Sequence, residues 1–147
     1  MKKIIILSLF TVAIISETYA QEYAVITTIE SIVPGGIGRS RMISNKTDLD
    51  AEEFTTERKA GTDTAQGKVK RKEIKVANLE ETKMLNFYSL TGINFQNVAS
   101  NDALISNKLT EMAKSGWELQ FVTSGVESDA GGPDGKGIFV TRYIFKR

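Results

Sequence analysis

Residues 100–145 carry a helical stripe, a glycine stop and two strands in succession, and this order narrows the fold more than any other feature of the chain. Leu104, Ile105, Leu109, Met112 and Ala113 recur at helical spacing, with Lys108, Glu111 and Lys114 off their stripe. Ser100, Asn101 and Asp102 supply capping side chains, which predicts a helix over about 101–115. Gly116 falls just past the last turn, where a left-handed residue stops a helix. Residues 117–126 (WELQFVTSGV) then alternate, Trp117, Leu119 and Phe121 on one side, Glu118 and Gln120 on the other. A loop rich in Gly, Asp and Pro at 127–137 leads to a second strand at 138–145 (IFVTRYIF). The core predicted from this pattern is Trp117, Leu109, Met112, Leu119 and Phe121, with Trp117 plugging the boundary between helix and sheet.

The first half is less regular. Residues 23–33 (YAVITTIESIV) are rich in β-branched side chains and read as a strand. Tyr23, Val25, Thr27 and Ile29 share one face, and Ala24, Ile26 and Thr28 the other; apolar residues on both mark an interior strand. After Pro34, Gly35 and Gly36, residues 38–44 read as a strand returning antiparallel. Residues 46–75 are polar and read as a partly disordered insertion, in which Asp50 and Glu53 fit a capping pair. Residues 78–90 (NLEETKMLNFYSL) admit two readings: a short helix ending near Gly92, with Asn78 and Glu81 as a cap and Leu85 and Tyr88 on one face, is favoured, while Phe87, Tyr88, Ile93 and Phe95 also suit extended structure. The whole predicts an α+β, two-layer domain: an antiparallel sheet of three to four strands with one main helix on one face.

Residues 1–20 have the order of an export signal: Lys2 and Lys3, a short apolar run, and small residues up to Ala20, with cleavage expected before Gln21. The expected mature chain is one domain, 21–147, in the periplasm or secreted. Its apolar leader is shorter than the roughly 20 residues that cross a bilayer, and no Cys follows to take a lipid anchor. With 19 basic and 18 acidic residues in the full chain, loss of Lys2, Lys3 and Glu17 leaves the charges balanced. No overall field then draws the protein to nucleic acid.

The chain has no cysteine and no histidine. Thiol chemistry, a Ser-His-Asp triad and thiolate or imidazole metal sites are thereby excluded. Carboxylate chemistry stays open, with Glu118 and Asp129 or Asp134 the first pair to inspect. No cofactor and no metal is expected. Among candidate sites, residues 34–41 (PGGIGRSR) offer backbone N–H groups at Gly35, Gly36 and Gly38, and cations at Arg39 and Arg41, to an anion. The plainer reading of that segment is a flexible hairpin. Lys68, Lys70, Arg71, Lys72 and Lys75 form a basic run that most simply is solvated. Asp48, Asp50, Glu52 and Glu53 resemble a calcium loop in charge only, lacking its glycine and its spacing.

The EYAV opening of the first strand, the GWEL junction at 116–119 and the terminal FKR resemble a small bacterial family of unknown function. The likeness covers about half of the expected mature chain and departs from it at 46–95 and 127–137. It implies a β-α-β-β core and carries no catalytic residue across.

The expected role is a non-catalytic module that binds another envelope or extracellular protein, its long loops carried on a small rigid core. A carboxylate hydrolase or lyase, and a homo-oligomeric structural protein pairing through an exposed strand edge, are the alternatives.

Overall fold

The computed structural model describes residues 20–33, 40–45, 47–62, 65–127 and 137–147. These form strands β1 (Tyr23–Ser31), β2 (Arg41–Asn45), β3 (Leu79–Lys83), β4 (Tyr88–Ser89) and β5 (Gly92–Ile93), helix α1 (Phe95–Lys114), and strands β6 (Glu118–Glu127) and β7 (Ile138–Lys146). The main sheet runs β3-β2-β1-β7-β6 with every pair antiparallel, and β4 and β5 make a separate hairpin. One helix against an antiparallel sheet is the α+β architecture expected, with five strands in place of three to four.

Strand β1 lies at the centre, which explains its two apolar faces. Its Ala24 and Ile26 point toward α1, where Leu104, Ile105, Leu109 and Met112 pack with buried Ile26, Met42, Met84 and Phe145. The opposite face carries Val25, Thr27 and Ile29, opposite Ile144, Arg142 and Val140 of β7. Strand β2 pairs with β1 from Ile29 opposite Arg41 to Ile26 opposite Ser44, as the returning strand at 38–44 predicts.

Three expectations are corrected. Helix α1 begins at Phe95, because Asn94 is the cap and its side chain accepts the Asn97 N–H at 3.1 Å. Asn101 is therefore inside the helix, fully buried. Residues 79–83 are a strand rather than a helix. They have no apolar stripe to seat a helix, and pairing with β2 takes up their backbone. Phe121 does not share a face with Leu119. Leu119 lies opposite Phe145 and Phe121 opposite Ile144, so Gln120 forms a bulge that resets the alternation. Phe121 is 68% exposed and Leu119 41%, and neither is core, whereas Leu109, Met112 and Trp117 are partly buried against it.

The helix ends as its glycine predicts. Gly116 has φ +83, its N–H reaches the Ala113 carbonyl and the Trp117 N–H reaches that of Met112, both at 3.0 Å. This double closure hands the chain from helix to β6 with Trp117 on the core.

The polar stretch leaves the sheet between β2 and β3. Thr47 Oγ1 donates to the Asn78 carbonyl and accepts the Asn78 N–H, each at 3.1 Å, closing the base of the excursion. Within it are 3₁₀ turns at Glu52–Phe54 and Ala65–Lys68. Asp50 caps locally by accepting the Glu52 N–H at 2.9 Å, one residue short of the expected pair.

Candidate binding surface

With β3 at the opposite edge equally open, the β6 strand is the longer open element of the sheet. It is ten residues long, and all but Gln120 are exposed. The reason is the position of α1, whose apolar stripe is seated over β1, β2 and β7; no β6 side chain belongs to that cluster. As the last strand in the order, β6 also has no pairing partner on its outer side among the described residues.

Alternation divides its side chains between two open faces. Val122 and Val126 lie opposite Tyr143 and Phe139 on the helix side, 53% and 59% exposed. Phe121 lies on the far side beside Ile144 and then Val25, forming a short apolar row across three strands. The next row holds Thr27, Arg142 and Thr123. Arg142 is exposed, and its side chain makes no hydrogen bond or ion pair among the described residues.

A second feature opens at the end of the sheet. A cleft of about 730 Å³ is bordered by Tyr23, Asn45, Asp48, Met112, Trp117 and Arg147. The Arg147 guanidinium stacks 4.5 Å from the Trp117 ring centre and pairs with the Glu22 carboxylate. The backbones of Glu22 and Arg147 exchange two hydrogen bonds of 3.0 Å, which fixes that pair at the cleft wall. The charges there are largely spent on each other.

Under α1 lies a buried polar group. Asn101 donates to Glu30 Oε1 at 2.9 Å and to the Leu85 carbonyl at 2.8 Å, and accepts the Leu85 N–H at 2.8 Å. Burial, with the negative charge of Asp102 added, holds the Glu30 carboxyl above its ordinary value against the lowering effect of the Asn101 hydrogen bond. Burial, and then the charges of Glu30 and Asp102, likewise hold the Tyr143 hydroxyl up. Glu30 is only 9% exposed, so this group serves the junction of helix and sheet.

Gly35, Gly36, Gly38 and Arg39 lie outside the described residues, as do Asp129 and Asp134. Arg41 is turned to its neighbours: Nη1 donates to the Ser40 carbonyl at 2.9 Å and Nε lies 3.9 Å from Glu81 Oε2. Glu118, the acid of the hydrolase reading, is exposed at the sheet end opposite Lys146. Among the described residues no cluster of three or more acidic side chains is placed to hold a metal ion. No helix among them is long and apolar enough to cross a membrane.

Sequence reasoning missed the exposure of β6. An apolar alternation looks the same whether or not a helix covers it, and the Gln120 bulge is invisible in the pattern. Comparison with protein-family models, with curated proteins and with solved structures finds no match. The resemblance carried by EYAV, GWEL and FKR therefore assigns no family.

Proposed function

We propose that this chain is a non-catalytic protein-binding module of the cell envelope or extracellular space, released by cleavage before Gln21, and that it binds through β6. The observation that carries this reading is a ten-residue strand left open on both faces, with Phe121, Val122 and Val126 more than half exposed. Apolar side chains clustered on a rigid strand favour a macromolecular partner, because their burial supplies the affinity. The absence of histidine and cysteine narrows the chemistry left to a catalytic role.

The test is a crosslinking pull-down of residues 21–147 from intact source cells, compared with the Phe121→Ser variant. Phe121 is 68% exposed and lies outside the buried cluster, so the variant is expected to keep the fold, which circular dichroism checks. One dominant envelope protein captured by the parent and lost with Phe121→Ser is the expected result. Capture that is indifferent to the substitution overturns the placement on β6.

A further inference from the structure

We propose that β6 receives an extended peptide as a sixth strand of the sheet, and that this peptide carries a basic residue at each end of an uncharged, β-branched centre. This rests on the reading of the chain as a protein-binding module and adds the mode of binding and the chemistry of the partner.

The two edges of the sheet are built differently. Strand β3 is five residues long and carries Glu80, Glu81 and Lys83, the charged side chains that commonly keep an edge from pairing with another chain. Strand β6 is twice that length and has neither charge nor proline between Glu118 and Glu127. Its outer backbone donors and acceptors have no strand partner among the described residues. An added strand would satisfy them and would also find apolar neighbours on both faces, Phe121 on one and Val122 and Val126 on the other.

The ends set the charge of the occupant. Glu118 and Glu127 stand about 30 Å apart at the strand rise, and neither forms an ion pair among the described residues. The bulge at Gln120 sets Glu118 opposite Lys146 and Glu127 opposite Ile138, on one face of the sheet, so a peptide of about nine residues with lysine or arginine at both ends would place a cation at each. The same two carboxylates disfavour a second copy of this chain. Antiparallel self-pairing in full register sets Glu118 opposite Glu127 at both ends, where like charges repel.

The experiment uses residues 21–147 and a fluorescent nine-residue peptide with lysine at each end and alternating valine and threonine between, so that both lysines fall on the face of Glu118 and Glu127. Anisotropy at low ionic strength is expected to show saturable binding. Replacing both terminal lysines by glutamate should weaken it about tenfold. The double variant Glu118→Lys with Glu127→Lys, both exposed positions, should reverse that preference. Methylating alternate backbone nitrogens along one edge of the peptide should abolish binding. Equal affinity for both peptides, or tolerance of methylation along either edge, overturns strand addition. If neither peptide binds while a cellular partner is still lost with Phe121→Ser, strand addition fails and the protein-binding reading stands. A stable dimer by light scattering at micromolar concentration gives the edge to a second copy and overturns the proposal.

Discussion

Asn101 donates its side-chain amide to Glu30 Oε1 at 2.9 Å, tying the buried face of α1 to the central strand β1. The same amide bonds both the N–H and the carbonyl of Leu85, so one side chain joins helix, strand and the segment after β3. Both of its donors and its acceptor are used, which is what a fully buried amide requires.

Asn101→Ala removes three hydrogen bonds and leaves the Glu30 carboxyl and the Leu85 backbone without them. The expected loss is about 3 kcal/mol of unfolding free energy. Urea unfolding followed by circular dichroism measures it, and a loss within the noise of a surface substitution contradicts the role.

Glu30 makes stability depend on pH in a defined direction. Burial and Asp102 hold its carboxyl above the ordinary value, so the folded chain keeps the proton at a pH where the unfolded chain has released it. Stability contributed by this group therefore falls as pH rises from the unfolded to the folded value, and stays at its lower level above that. Glu30→Gln keeps the oxygen that accepts from Asn101 and deletes the charge. It is expected to raise the urea midpoint at neutral pH, with the gain disappearing below the ordinary glutamate value. A difference that does not vary with pH rejects the assignment.

Gly116→Ala tests conformation without crowding. A Cβ there would meet only Arg147 Cδ at 4.0 Å, yet φ is +83. The expected cost is about 1 kcal/mol, with Gly116→Asn costing less because asparagine tolerates that conformation better. Gly137→Ala costs more for a different reason: the new atom would lie 2.7 Å from Ile32 Cδ1 and 3.0 Å from the Glu127 carbonyl oxygen. Thermal melts of the three variants give the order.

Trp117 is the single tryptophan, and Arg147 stacks on its ring. Arg147→Ala removes that contact and the Glu22 ion pair, both at the surface, so the expected stability loss is about 1 kcal/mol. The emission of Trp117 should shift while the rest of the sheet persists. Trp117→Ala removes a ring seated on the core and should cost about 3 kcal/mol. Equal losses from the two variants contradict this division.

Local signals carried much of the fold. The β-branched run of β1, the stripe from Leu104 to Met112 and the stop at Gly116 each fix their element from nearby residues. The start of α1 was not legible because Ser100, Asn101 and Asp102 look like caps, while Asn101 is held inside by partners 16 and 71 residues away in sequence. Strand β3 is not legible locally because its residues acquire their structure from pairing with β2. The outward turn of Phe121 is not legible because regular alternation places it beside Leu119, while one extra residue at Gln120 resets the register. The candidate surface was legible least, since exposure depends on where the helix lies rather than on the strand itself.

The most direct test of the binding account is photo-crosslinking in intact cells from two edge positions. A photoreactive side chain is introduced at Val122 of β6 in one variant and at Thr82 of β3 in another. The account predicts one discrete adduct from position 122 and none from position 82. No adduct from 122, or the same adducts from both edges, contradicts it.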